Sequence, residues 1–363
     1  MTKLSGIEGG EEGDSVMMWA FEYQGPNKKA LVQKEKPQIE NITDAVVRVL
    51  RTTICGTDLH ILRGDVPTVS AGTTLGHEGI GLIDSIGEAV TTHKVGDRVL
   101  ISCITACGRC DYCRLAMFSH CANGGWILGN SINGTQAEFV RIPFADTSLF
   151  AIPEGVSDDA MVLLSDILPT GFECGVLKGR IKPGDIVAIV GSGPIGLATL
   201  LTAKLFSPAE IILIDSDENR LRLATEFGAT QTINIQKENP IEKVFELTND
   251  RGVDVAVEAV GLPETFNICQ SILAPGAHLA NIGVHGKPVQ LQLEKLWDRN
   301  VTITTRLVDT ESIPMLLKAV TAGTIHPEKL VTHWFNFKDI LKAYETFANA
   351  AQERALKVVI SLT

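Results

Sequence analysis

Between about residues 28 and 163, apolar positions come in short runs separated by glycine and polar clusters: DAVVRVLRTT, EGIGLIDSIGE, GDRVLIS and TQAEFVRI. Runs of this length, rich in β-branched residues and bounded by turn formers, predict strands of a compact β-barrel-like lobe. After Asp166 the rhythm changes. Apolar runs IVAIV, EIILID, DVAVEAV and GAHLANIG alternate with stretches of helical spacing such as NRLRLATEFGA. That alternation predicts βαβ units on a parallel sheet. The C-terminal stretch FKDILKAYETFANAAQERALKVVISL reads as an amphipathic helix followed by a last strand. Residues 1–16, rich in Gly and Glu with little to bury, read as a mobile tail.

The run IVAIVGSGPIGLATLLTA from Ile186 to Ala203 carries no charge and is long enough for a membrane helix. Pro194 and the glycines inside it predict instead a buried strand, a tight turn and a helix. With 363 residues the chain has room for two lobes. Its formal net charge of -11 argues against a nucleic-acid partner, which needs a basic face. Eight cysteines in a chain of this length are not disulfide density, and the N-terminus has no basic and apolar leader pattern. The expected compartment is therefore the cytoplasm, with reduced thiols and no membrane partner.

Gly191, Gly193 and Gly196 form the pattern G-x-G-x-x-G directly after an apolar run and at the opening of a helix, with Pro194 and Ile195 inside the turn. An acid, Asp215, closes the next apolar run, as a dinucleotide site requires. Gly191 allows the tight turn, Gly193 lets a pyrophosphate approach the backbone, and Gly196 lets helix and strand pack closely. Asp215 is placed to accept from a ribose 2′-hydroxyl and to repel a 2′-phosphate, which favours NAD over NADP. Arg220 is a candidate for the edge of the adenine pocket.

Two groups of metal-ligand residue types precede this unit. Cys107, Cys110, Cys113 and Cys121 fall at the spacing C-x2-C-x2-C-x7-C, for which a disulfide staple, an iron–sulfur cluster and a zinc ion compete. TTICGTDLH and LGHEG contribute Cys55, Thr57, Asp58, His60, His77 and Glu78. Cys55 and His77 can supply two of the three protein ligands that a catalytic zinc commonly takes, leaving one position open. The third has to come from elsewhere.

CGTDLH, GHEG, the four-cysteine stretch, LLSDILPTGF and GSGPIG together resemble the medium-chain, zinc-dependent alcohol dehydrogenases, over nearly the whole chain after residue 17. The resemblance implies an α/β protein with a GroES-like β-barrel catalytic domain and a Rossmann domain with a doubly wound parallel sheet. The implied division is a tail over 1–16, the catalytic domain over 17–165, the NAD-binding domain over 166–303, and a return to the catalytic domain over 304–363. It further implies two zinc ions per chain. A catalytic one is held by Cys55, His77 and Asp166, as in the branch of the family that uses Asp where many members have Cys; Cys174 is the rival third ligand. A structural one is held by Cys107, Cys110, Cys113 and Cys121.

The implied reaction is hydride transfer between a primary or secondary alcohol and NAD, giving an aldehyde or ketone. Thr57 and His60 match the family's proton relay, Asp58 the acid that orients the metal-bound imidazole, and Glu78 the acid behind the zinc. Thr170 matches a residue beside the nicotinamide; Val260, Ile282, Gly283 and Val284 lie in loops matching those that flank the cofactor. The alternatives are a glutathione-independent formaldehyde dehydrogenase, whose long insertion between the structural cysteines and GTQAEFV is not found here, and a non-catalytic dinucleotide-binding relative, whose expected loss of a zinc ligand or relay residue is not seen. Partners implied are a small alcohol, aldehyde or ketone and further copies of the chain, as a tetramer or dimer.

Overall fold

The computed structural model describes residues 16–363; the tail expected over residues 1–16 lies, except for Val16, outside the described residues. A first lobe begins with the antiparallel hairpin of β1 (Met17–Tyr23) and β2 (Lys29–Glu35). Its main sheet uses β3 (Ala45–Thr53), β4 (Gly79–Ile86), β5 (Arg98–Ile101), β6 (Phe139–Ile142) and β7 (Leu149–Ala151). The four apolar runs of the sequence each supply one of these strands. In β3 the side chains of Val47 and Val49 are buried while Arg48 between them is exposed, the alternation of a strand with one face on a core.

The second lobe is a six-stranded parallel sheet. Its strands are β8 (Ile186–Val190), β9 (Glu210–Asp215), β10 (Gln231–Asn234), β11 (Val253–Glu258), β12 (Leu273–Asn281) and β13 (Thr302–Thr305). Their spatial order is β10-β9-β8-β11-β12-β13, so the order reverses beside β8. That reversal leaves a crevice at the carboxyl end of β8, where dinucleotides bind in such sheets. Helices cover both faces, and β8 is accordingly apolar at every position. The uncharged run at 186–203 is β8, a turn and the helix Pro194–Ala203. No single described helix is long and apolar enough to cross a membrane; one bent pair, Asp158–Leu164 with Ile167–Leu177, meets the test by length and composition. Its apolar side chains lie in the core.

The chain then returns. After the helix Ile313–Thr321, β14 (Val331–Asn336) runs parallel to the last strand, β15 (Lys357–Ser361), and β15 pairs antiparallel with β3. Between them lies the amphipathic helix Ile340–Ala348, whose Ile340, Ala343, Tyr344 and Phe347 are buried. One apolar cluster joins the lobes, with Ile80 and Leu100 from the first, Leu197, Leu213 and Val257 from the second, and Leu316 and Val359 from the returning segment. The segment from Asp158 to Leu177 runs through this cluster and carries Asp166 at its middle.

Candidate active site

Asp166 sits at the N-terminal end of the short helix Ile167–Thr170, with φ -145° and ψ -67°. The next turns, Gly171–Leu177, are a π-helix, a wide form that recurs at functional sites. Cys55 caps the helix Gly56–Arg63, and its amide is satisfied by Asp58 Oδ2 at 2.9 Å. His77 and Glu78 lie immediately before β4, both buried. These elements bring one ligand atom each from Cys55, His77, Glu78 and Asp166 within 4.8 Å of one another. Asp166 Oδ2 is 3.2 Å from His77 Nε2 and 3.7 Å from Cys55 Sγ. Cys174 is not in the group; it is buried in an apolar patch with Cys103, Ile104 and Val308.

The electrostatics of the cluster suit a cation. Burial works to raise the Asp166 carboxyl, yet the imidazole of His77, with Lys357 and the Thr170 hydroxyl, holds it down at about 2. Burial works to lower His77, and the hydrogen bond to Asp166 with the neighbouring Cys55 overrides it and raises the imidazole. A divalent cation would be held here by the Cys55 thiolate, the His77 imidazole and the Asp166 carboxylate, a donor set that zinc accepts. Behind the ring, Asp58 Oδ1 is buried with no hydrogen-bond partner and lies 4.0 Å from His77 Nδ1. Metal-bound imidazoles commonly turn their second nitrogen to such a carboxylate.

Glu78 is held away from an independent role by Lys357, whose Nζ donates to Oε1 at 2.6 Å while Thr53 Oγ1 donates to Oε2 at 2.7 Å. Both ion-pair partners are only 1% exposed. Lys357 was not legible as a site residue. Its one signal is a lone charge in the apolar run ALKVVISL, and strand position alone does not say that such a charge turns inward. Thr57 Oγ1 lies 3.7 Å from Cys55 Sγ. His60, three residues on and so on the same helix face, reaches solvent with 44% of its side chain exposed, its Nδ1 set between the Arg63 guanidinium and the Asp65 carboxylate. Trp126 packs edge-on to His77, ring centroids 6.2 Å apart, and its buried indole N–H has no partner.

Sγ atoms of Cys107, Cys110, Cys113 and Cys121 form a second group within the same 4.8 Å limit. No disulfide joins them. The Cys107 amide donates to Cys121 Sγ at 3.2 Å and Asn123 Nδ2 donates to Cys107 Sγ at 3.5 Å. Burial works to raise Cys107, but the Arg109 amide and Asn123 bring it to about 6, while burial and the thiols of Cys110 and Cys121 push Cys113 up to about 12. Four thiols this close together could fill every position of a tetrahedral zinc, which would make this a closed site.

In the second lobe Gly191 has φ +106°, a conformation that side chains resist, and a Cβ at Gly196 would lie 1.8 Å from the Gly191 carbonyl oxygen. Gly193 caps the helix Pro194–Ala203, with Pro194 at its first turn. Asp215 ends β9, its Oδ2 accepting from Ser192 N at 2.6 Å and its Oδ1 from Ser216 N and Asp217 N. Arg220 NH1 lies 3.8 Å from where a Cβ on Gly193 would be, over the glycine turn. Val260 follows β11. Ile282, Gly283 and Val284 follow β12 and line a cavity of about 590 Å³ with Met117, Ser119 and Arg306. Thr170 Oγ1 donates to Asp166 Oδ1 at 2.7 Å, which ties that hydroxyl to the first cluster.

Residues 41–154 match the alcohol dehydrogenase GroES-like domain, and residues 194–322 match the zinc-binding dehydrogenase family. An alcohol dehydrogenase from Cupriavidus necator is 34% identical over 371 positions, spanning 95% of this chain and 99% of that protein. The chain belongs to the medium-chain zinc-dependent alcohol dehydrogenase family. The solved structure of zinc-dependent alcohol dehydrogenase 2 from Streptococcus pneumoniae, in its apo form, is 53% identical with a TM-score of 0.91, covering 95% of this chain and 98% of that one. The alcohol dehydrogenase RspB from Escherichia coli CFT073, solved in complex with NADH, has a TM-score of 0.87 at 26% identity, with 95% and 99% covered. As a member of this family the protein is a zinc-dependent alcohol oxidoreductase that works with a nicotinamide cofactor.

Proposed function

We propose that the protein transfers hydride between an alcohol and NAD, with Cys55, His77 and Asp166 holding a catalytic zinc and Cys107, Cys110, Cys113 and Cys121 a structural one. The observation that carries this reading is the convergence of Cys55, His77 and Asp166, from residues 111 apart in sequence, within one buried cluster at the seam of the two lobes. When bound, zinc polarises an alcohol oxygen and the nicotinamide ring takes up hydride. The chain supplies the rest. Thr57 Oγ1, beside Cys55, would take the alcohol's proton while giving its own to a hydroxyl of the nicotinamide ribose, and His60, on the exposed end of the same helix face, would pass a proton from that ribose to water. Asp58 keeps the His77 ring turned so that Nε2 faces the cluster.

The β8 turn and the helix Pro194–Ala203 offer their free N–H groups to a pyrophosphate. Asp215, fixed by three backbone amides, presents a carboxylate where the adenosine ribose would lie, which supports NAD over NADP because a 2′-phosphate meets a like charge. We assign the cytoplasm on the eight free thiols and a homo-oligomeric state on the resemblance. The test is NAD and NADP reduction across primary alcohols, secondary alcohols and formaldehyde, with zinc determined on the same sample. Alcohol-dependent NAD reduction with two zinc ions per chain is expected. A preparation with full zinc that reduces NADP in preference to NAD overturns the coenzyme assignment, and one active on formaldehyde but on no other substrate overturns the substrate class.

A further inference from the structure

Asp58 belongs to a longer buried chain of polar groups whose far end comes from the C-terminal helix. Its Oδ2 accepts from two donors, the Cys55 amide at 2.9 Å and Gln136 Nε2 at 3.3 Å, while Oδ1 is left facing His77 Nδ1 across 4.0 Å. Gln136 Nε2 also donates to the Thr53 carbonyl at 3.1 Å, and Gln136 Oε1 accepts from the Tyr344 hydroxyl at 2.7 Å. Gln136 and Tyr344 are fully buried.

The backbone of Gln136 is pinned as well. Its amide donates to the Leu75 carbonyl at 2.9 Å, two residues before His77, and its carbonyl accepts from the Phe21 amide at 2.8 Å. Phe21 in turn stacks on Tyr344, ring centroids 4.6 Å apart.

The order of these partners decides which way the Gln136 amide points. With Tyr344 donating to Oε1, the NH2 group must face Thr53 and Asp58. Turned over, Oε1 would meet the Thr53 carbonyl and the Asp58 carboxylate, two acceptors with no proton between them, in a buried site where an unmade hydrogen bond is costly. The Thr53 carbonyl and the Asp58 carboxylate therefore set the amide, the Tyr344 hydroxyl holds it by donating to Oε1, the amide holds Asp58 Oδ2, and the fixed carboxylate leaves Oδ1 for the ring.

We propose that Gln136 and Tyr344 are positioning residues that fix how Asp58 faces His77, and so the ring orientation in which His77 presents Nε2 to zinc. The proposal rests on the reading of Cys55, His77 and Asp166 as zinc ligands. Neither side chain hydrogen-bonds to a ligand side chain, and the contact from Tyr344 joins the C-terminal helix to a site whose three proposed zinc ligands all come from the first half of the chain. Outer partners of metal-bound imidazoles typically contribute 10–100-fold to metal affinity.

The experiment follows zinc loss from the full-length, zinc-loaded protein to excess EDTA. Two phases are expected, a faster one from the Cys55 cluster and a slower one from the four thiols, with His77→Asn lacking the faster. Gln136→Met should speed the faster phase about tenfold, and Tyr344→Phe roughly threefold, with the slower phase unchanged. Adding Tyr344→Phe to Gln136→Met should change nothing more, because the hydroxyl acts only through the amide.

A purely structural role would lower thermal stability without touching the fast phase, or make the two effects multiply; either result overturns the proposal. Should Gln136→Met fail to fold, an unchanged fast phase in Tyr344→Phe overturns it alone. If His77→Asn keeps both zinc ions, the ligand assignment itself is wrong and the proposal falls with it.

Discussion

The two thiol-bearing clusters are built in opposite ways. Cys107, Cys110, Cys113 and Cys121 come from 15 consecutive residues, use one ligand type, and lie partly at the surface, with local amides and Asn123 supporting the sulfurs. Cys55, His77, Glu78 and Asp166 come from three separated stretches, mix sulfur, nitrogen and oxygen, and are buried among charges as distant in sequence as Lys357. A site closed by four equal ligands can do little besides hold its loop. One that leaves a position open at the meeting of two lobes can bind a substrate oxygen, and its ligands must be held by the whole fold.

The sharpest way to break that contrast is to remove one ligand from each cluster. Asp166→Ala should cost about 10³–10⁴-fold in kcat, the equivalent of several kcal/mol of lost metal assistance, with the melting temperature little changed. Cys110→Ser should do the reverse, losing one zinc ion by elemental analysis and lowering the melting temperature by roughly 5–10 °C. Full activity in Asp166→Ala, or unchanged stability in Cys110→Ser, would erase the distinction.

Within the open site the two residues proposed to relay the proton should differ in how far water can replace them. Val has nearly the shape of Thr without its hydroxyl, so Thr57→Val should lower kcat by about 10³-fold with zinc content and NAD affinity kept. His60→Gln, at the solvent end, should lose only about tenfold. Stopped-flow turnover of an alcohol at near the wild-type rate in Thr57→Val would rule out the relay. A smaller change is expected at the cofactor. Asp215→Gly should shift the ratio of NAD to NADP affinity by about tenfold toward NADP, as read from fluorescence titration.

The smallest effect belongs to a carboxylate outside both clusters. Burial works to raise Asp146, but the hydroxyls and amides of Thr92 and Thr91 bring it to about 2. A carboxyl depressed in the folded state adds stability above its unfolded value, about 3.9, and loses it as pH falls through about 2. The melting-temperature difference between wild type and Asp146→Ala should therefore be constant near neutrality and shrink between about pH 4 and pH 2. A difference that grows on acidification would show that the carboxylate is not the stabilising form.

Much of the site could be read because it is encoded by near neighbours. The glycine turn is recognisable since backbone conformation at Gly191 and close approach at Gly196 restrict those positions to one residue type, and Asp215 follows at the end of the next strand. The four thiols stand at a ligand spacing that a single loop can close. Asp166 is different: nothing in LLSDILP says that its carboxyl turns toward His77, and only the resemblance pointed to it. Cys174 was an equally good ligand by residue type, and packing decided against it by burying the thiol beside Cys103 and Val308.

What the sequence by itself determined is therefore local chemistry: which runs become strands, where the glycine turn lies, and which residue types could bind metal. What only the tertiary structure decided is which of those residues meet. Strand β15 brings Lys357 against Glu78, the C-terminal helix brings Tyr344 against Gln136, and the segment through the shared core brings Asp166 against His77. Hydrophobic periodicity records which face of an element is buried, but it carries no information about the element on the other side. The partners of a buried charge are set by that second element, and here it lies as many as 279 residues away.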